Sequence, residues 1–233
     1  MSLMLASVNS LHEAQLVYRL NVDIIDLKQP EQGALGALSI IEVAEIVRKL
    51  KPDAQLSATV GDLPMQADVL SQAVKAMAST GVDFVKIGFF PDGDWPSCIA
   101  ALSALAKQDY RLIAVLFADT GTDFSITKTL AKAGFHGVML DTMHKKMGSL
   151  TGFRSLPELQ SFVETARSNS LLTGLAGSLS LTDVPLLSAL KADYLGFRGA
   201  LCKQSCRTSE LDEVRICQIR ELLKLQQDCL SAA

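Results

Sequence analysis

Asp23-Ile24-Ile25-Asp26-Leu27-Lys28 is a short apolar run that closes on charge, with Asp26 and Lys28 two apart and therefore on one face of a strand. Short apolar runs recur at 3–8, 55–60, 84–87, 112–117, 137–140, 172–176 and 194–197. Most are continuously apolar rather than alternating, the pattern of parallel strands covered on both faces. Between them, apolar residues three and four apart predict helices over 40–50, 65–80, 97–107, 156–168 and 211–226. Ser10, Ser39 and Ser155 stand where N-caps belong, and Pro157 suits a first helical turn. The seventh unit is the weakest: 182–189, with Pro185 near its start, supports only a short helix. Eight strand–helix units with no linker predict an α/β fold, a single-domain (β/α)8 TIM barrel over residues 1–233. The rival is a doubly wound open sheet, but no glycine fingerprint follows the first strand.

Composition agrees with a sizeable core. Of 233 residues, 48% are apolar and 20% charged, which excludes a disordered or fibrous chain. Twenty-five acidic against 22 basic residues leave a net charge of −3, which argues against a nucleic-acid footprint but allows a small basic pocket. No stretch approaches the ~20 apolar residues of a membrane helix, and residues 1–11 lack the basic start and cleavage pattern of a signal peptide. Cys98, Cys202, Cys206, Cys217 and Cys229 show no disulfide or zinc spacing, so reduced thiols and a cytoplasmic location are expected. Self-association is compatible with the apolar content; no nucleic-acid or membrane partner is expected.

In such barrels the chemistry sits at the C-terminal ends of the strands. Those ends read Asp26-Leu27-Lys28, Thr59-Val60-Gly61-Asp62, Lys86-Ile87-Gly88, Ala118-Asp119, Asp141-Thr142 with Lys145 close behind, Ala176-Gly177-Ser178 and Arg198-Gly199-Ala200. Ionisable groups beside a packed core are costly unless paired, so this polar face should be the barrel mouth. Lys28, Lys86 and Arg198 come from strands two, four and eight, and Lys145 follows strand six, so one rim can hold them with Asp26 and Asp141 balancing charge. Lysines crowded into a narrow, apolar-walled cup have depressed amine pKa values and release a nucleophile for carbonyls. The Schiff base so formed is an electron sink, and a second lysine or an aspartate can move protons. Structural salt bridges such as Asp26–Lys28 or Lys86–Asp62 would use the same residue types. Lysines on alternate strands favour catalysis.

The ends of strands seven and eight suit a phosphate, with backbone N–H groups and a hydroxyl at Gly177-Ser178 and a guanidinium beside open backbone at Arg198-Gly199. Thr59 and Asp62 complete the candidate substrate-binding set. His12, His136 and His144 are scattered. Asp62, Asp119 and Asp141 could hold a divalent ion, but neighbouring lysines compete for their charge, so no metal or cofactor is expected.

Val22-Asp23-Ile24-Ile25-Asp26-Leu27-Lys28 with Pro30-Glu31-Gln32-Gly33-Ala34-Leu35-Gly36-Ala37 resembles the opening of the (5-formylfuran-3-yl)methyl phosphate synthase family of methanofuran biosynthesis, also called 4-(hydroxymethyl)-2-furancarboxaldehyde-phosphate synthase. Ser57-Ala58-Thr59-Val60-Gly61-Asp62, Val85-Lys86-Ile87-Gly88, Met139-Leu140-Asp141-Thr142, Leu175-Ala176-Gly177-Ser178 and Gly196-Phe197-Arg198-Gly199-Ala200 continue the resemblance in order. It implies a lyase that joins two molecules of glyceraldehyde 3-phosphate with loss of phosphate and water. It further implies Lys28 as the Schiff-base lysine, Asp26 as its companion and Lys86 as the proton-transfer lysine, with Asp141 and Lys145 completing the site. Two loops depart from the family pattern: Lys146-Met147-Gly148, and Gln204-Ser205-Cys206-Arg207, which stands in place of a glycine-rich stretch. The alternatives are another Schiff-base aldolase acting on triose or pentose phosphates, and a non-catalytic barrel that only binds a phosphorylated ligand or a partner.

Overall fold

The apolar runs become eight parallel strands: β1 (Leu3–Val8), β2 (Ile24–Leu27), β3 (Gln55–Thr59), β4 (Phe84–Gly88), β5 (Leu112–Phe117), β6 (Gly137–Asp141), β7 (Leu172–Leu175) and β8 (Tyr194–Phe197). Each bonds to the next and β8 returns to β1, closing a TIM barrel. The computed structural model describes residues 2–231, with side chains as far as residue 226; Cys229 lies outside the described side chains. The helices are α1 (Leu11–Arg19), α2 (Ile40–Leu50), α3 (Ala67–Ala78), α4 (Trp95–Ala106), α5 (Ile126–Lys132), α6 (Leu150–Phe153), α7 (Leu156–Ser168), α8 (Asp183–Ser188) and α9 (Glu213–Ser231). Among the described residues, no helix is long and apolar enough to cross a membrane.

Helix boundaries follow local capping. The Ser10 hydroxyl accepts the Glu13 N–H, and Ser39 forms a capping box with Glu42, as Ser155 does with Glu158. α4 starts two residues before the expected 97 because the Asp94 carboxylate accepts the Ser97 N–H at 3.1 Å, with Pro96 in the first turn. α3 starts two residues after the expected 65.

Strand parity sorts the side chains. Met4, Ala6, Val8, Ile25, Leu27, Leu56, Ala58, Val85 and Ile87 are buried in the main core cluster, between barrel and helices. The alternate residues Leu5, Ile24, Phe84, Ile113, Val115, Met139 and Tyr194 pack into a second cluster inside the barrel. Continued toward the C-terminal ends, that inner parity reaches Ser7, Asp26, Ser57, Lys86 and Asp141, all buried. The floor of the barrel is therefore apolar and its mouth ionisable. Gly174 belongs to the floor, where a Cβ would stand 2.3 Å from the Tyr194 ring.

Gly174→Ala should lower stability by about 1–3 kcal/mol through overpacking. Gly152→Ala, whose Cβ would meet nothing within 4 Å on α6, should leave stability unchanged or slightly higher. Urea midpoints of the two variants check the contrast; equal midpoints would show that the floor yields.

Candidate active site

Parallel register builds the site from the middle of the barrel outward. Asp26 stands opposite Ser7 on β1 and Ser57 on β3. Both hydroxyls donate to its carboxylate, at 3.0 and 2.6 Å, and Lys86 Nζ pairs with it at 3.0 Å. Burial opposes ionisation of Asp26, but the Lys86 and Lys28 charges and the Ser57 hydroxyl outweigh it and hold the carboxyl below its usual range. Asp141 ends β6, pairs with Lys145 Nζ and accepts the Thr142 N–H at 2.8 Å. Burial again opposes ionisation, and the Lys145 and Lys28 charges again prevail. Lys145 itself is pushed below the ordinary lysine range by burial, which Asp141 only partly offsets. The turn carrying Lys145 is held from two sides. Asp119 accepts the N–H groups of Met143 and His144 at 2.7 and 2.8 Å and lies 3.0 Å from His144 Nδ1, while the Ser178 hydroxyl donates to the Lys145 carbonyl at 3.0 Å.

Lys28 extends the β2 ladder by one residue, its N–H donating to the Val8 carbonyl at 3.0 Å. Its side chain is only 6% exposed, and among the described residues no carboxylate lies within ion-pair distance of its amine. Burial drives its pKa down to about 7; Asp141 and Asp26 resist, and Lys145 and Lys86 add to the fall. About half the amines are then neutral at pH 7, against ~0.04% for a free lysine. A cavity of about 920 Å³ opens above it, lined by Lys28, Lys86, Asp141, Lys145, Gly177, Ser178 and Gly199 among others. Among the described residues, no acceptor takes the N–H of Gly177 or Ser178.

The structure thus brings Asp26, Lys28, Lys86, Asp141 and Lys145 together, with Lys86 paired to Asp26 rather than to Asp62. Four of the expected substrate-binding residues have other partners, Ser178 through its hydroxyl on the Lys145 carbonyl. Thr59 is fully buried and donates to the Gly36 carbonyl at 3.0 Å. Asp62 accepts the N–H groups of Ala34 and Leu35 at 2.8 and 2.7 Å, close against Gly33, where a Cβ would stand 2.0 Å from the Asp62 carboxylate. Neither Thr59 nor Asp62 lines the cavity. Arg198 does line it, but all its N–H donors are occupied: Nε by the Arg207 carbonyl, Nη1 by Ser7 O and Glu13, Nη2 by Glu13 and Ser209 O. The expectation that Arg198 receives a phosphate therefore meets a guanidinium with no open N–H.

Ser7, Ser57, Glu13 and Arg207 are absent from the sequence-based set. Parity could have found the two serines; nothing in the first turn of α1 marks Glu13, and nothing in the 202–211 loop marks Arg207. Among the described residues, no three His, Cys, Asp or Glu side chains gather as a metal site, and the described cysteines are free thiols.

Residues 4–220 match the family model for 4-HFC-P synthase. A Methylorubrum extorquens protein provisionally named (5-formylfuran-3-yl)methyl phosphate synthase is 41% identical over 221 residues, 95% of this chain and 91% of that one. The (5-formylfuran-3-yl)methyl phosphate synthase of Methanopyrus kandleri is 34% identical over 195 residues, 79% of this chain and 82% of that one. The crystal structure of 3-keto-L-gulonate-6-phosphate decarboxylase from Vibrio cholerae superposes with a TM-score of 0.69 at 14% identity, covering 96% of this chain and 98% of that one, a likeness of fold.

The depressed amine has a thermodynamic signature. The unfolded chain keeps the Lys28 proton to about pH 10.5 and the folded chain loses it near 7, so this group's destabilising effect is complete below pH 7 and fades as pH rises toward 10.5. Lys28→Met should therefore be more stable than the parent in urea, by a margin largest at pH 7 and below and shrinking toward pH 10. A margin independent of pH would mean an ordinary amine.

Proposed function

The chain belongs to the 4-HFC-P synthase family, and on that premise we propose that it makes (5-formylfuran-3-yl)methyl phosphate for methanofuran biosynthesis, condensing two molecules of glyceraldehyde 3-phosphate through a Schiff base on Lys28. The carrying observation is that Lys28 is the buried lysine of the mouth without a carboxylate partner, at a pKa of about 7. A neutral amine there attacks the aldehyde of one triose phosphate and loses water to give an iminium. Loss of the α-proton yields an enamine that adds to the aldehyde of the second molecule. The cationic nitrogen accepts the electron pair as the carbanion develops, which a neutral carbonyl does less well.

Lys86, paired with Asp26, is placed to exchange protons with the bound carbonyl and carbinolamine oxygens. Lys145, paired with Asp141, supplies a second proton donor at the rim. Once an enamine lies β to a phosphate ester, its nitrogen electron pair expels phosphate; ring closure and dehydration then lead to an aromatic furan. Hydrolysis of the remaining iminium releases the product aldehyde and returns the Lys28 amine, so every step is condensation, proton transfer, elimination or hydrolysis within a lyase-type sequence. The unsatisfied N–H groups of Gly177 and Ser178 are suited to a substrate phosphate.

Incubation with glyceraldehyde 3-phosphate alone should yield a new ultraviolet-absorbing product with the mass of the furan phosphate. Lys28→Arg should fold and make none, since a guanidinium supplies no neutral amine. Lys86→Gln should slow turnover about 10²–10⁴-fold, the range of a lost acid–base group. Furan formation by Lys28→Arg would overturn the mechanism; a product retaining both phosphates would point to an aldolase.

A further inference from the structure

We propose that Arg207 is the residue whose guanidinium receives a phosphate group of the substrate, the part that the strand-end pattern gives to Arg198. The inference rests on the reading of the mouth as a site for phosphorylated trioses and adds to it a specificity-determining residue. Four observations carry it.

Arg207 lines the cavity. One of its Nη2 N–H groups donates to the Gly33 carbonyl at 3.0 Å, and among the described residues its other N–H groups have no acceptor in the chain. A half-buried guanidinium with open donors can present its planar fork to a phosphate, giving two parallel charge-assisted bonds.

The loop that carries it is fixed. Arg198 donates to the carbonyls of Arg207 and Ser209 at 2.8 and 3.1 Å, and Glu13 neutralises Arg198 from the other side. The Cys202–Leu211 antiparallel bridge and the bond from Lys203 N–H to the Glu210 carbonyl close the base of the same loop. At its far end Arg207 holds Gly33, whose neighbours Ala34 and Leu35 are clamped by Asp62. A side chain anchored at both ends loses less rotamer freedom on binding a ligand.

Of the cavity's cations, Lys28 is taken by the proposed Schiff base and Lys146 stands exposed at the rim, which leaves Arg207 as the half-buried guanidinium with open donors for a dianion. Lys86 and Lys145 are paired with Asp26 and Asp141. Arg215 is engaged by Asp212 and Ser205. The N–H groups of Gly177 and Ser178, which line the same cavity, supply neutral donors to accompany the guanidinium.

Calorimetric titration with inorganic phosphate tests the assignment without requiring turnover. Arg207→Met should weaken phosphate binding about 10- to 100-fold, the value of a lost hydrogen bond to a charged group, and Arg207→Lys should recover part of it. In kinetics, Arg207→Met should raise the KM for glyceraldehyde 3-phosphate by a similar factor with kcat within a few-fold. Borohydride trapping of unphosphorylated glyceraldehyde should not change. Phosphate affinity and KM equal to the parent's in Arg207→Met would overturn the inference. So would absence of phosphate binding by the parent together with an unchanged KM. Furan formation alongside either result leaves the proposed activity standing while this inference falls; Arg207-dependent phosphate binding without furan formation separates the two the other way.

Discussion

At the inner end of the barrel mouth two buried carboxylates, Asp26 and Asp141, face three lysines, Lys28, Lys86 and Lys145, and that imbalance shapes the rest of the site. An ammonium withdrawn from water costs several kcal/mol unless an opposite charge and hydrogen bonds replace its hydration. Asp26 serves Lys86, and Asp141 serves Lys145. Ser7 and Ser57 fill the remaining acceptor positions of Asp26, so that carboxylate stays ionised although it is wholly buried. Among the described residues no carboxylate lies within ion-pair distance of Lys28, and the penalty falls there as a pKa near 7. The depressed amine arises first from burial, with the neighbouring charges partly cancelling, and without any special contact to Lys28 itself.

The loops around this cup divide positioning from reaction. Asp119 grips the two N–H groups before Lys145, and Ser178 grips the Lys145 carbonyl, so the amine reaches Asp141 from a fixed turn. Arg198 and Glu13 form a buried ion pair at the junction of β8 with β1, and Arg198 holds the backbone carbonyls of Ser7 and Ser209. Asp62 does similar work for the 33–35 turn. Charged residues at strand ends therefore fall into two groups: those turned into the cup, and those that pin the loops over it.

That division marks what was legible in the sequence. A two-residue period settles which side chains enter the barrel, so Asp26, Lys28, Lys86 and Asp141 could be read from the strands alone; Ser7 and Ser57 obey the same parity and were open to the same reasoning. Closure into a barrel followed from eight uninterrupted strand–helix units. The helix start at Trp95 depended on the Asp94 cap with no period to read, and the start at Ala67 carries no side-chain cap to mark it. Arg198, Thr59 and Asp62 carry the right chemistry at the right strand ends, yet the choice between backbone carbonyl, carboxylate and ligand as a partner is made by loops that arrive from elsewhere in the chain. Arg207 shows the converse, since it reaches the cavity from an irregular segment where spacing says nothing about direction.

Reductive trapping bears most directly on whether the unpaired amine is the reacting one. The protein is mixed with glyceraldehyde 3-phosphate and sodium borohydride, digested, and its peptides mapped by mass. A stable triose-derived adduct on Lys28, formed at a rate that rises through pH 7, is the expected result. An adduct on Lys86 or Lys145 with Lys28 unmodified would contradict the charge-imbalance account.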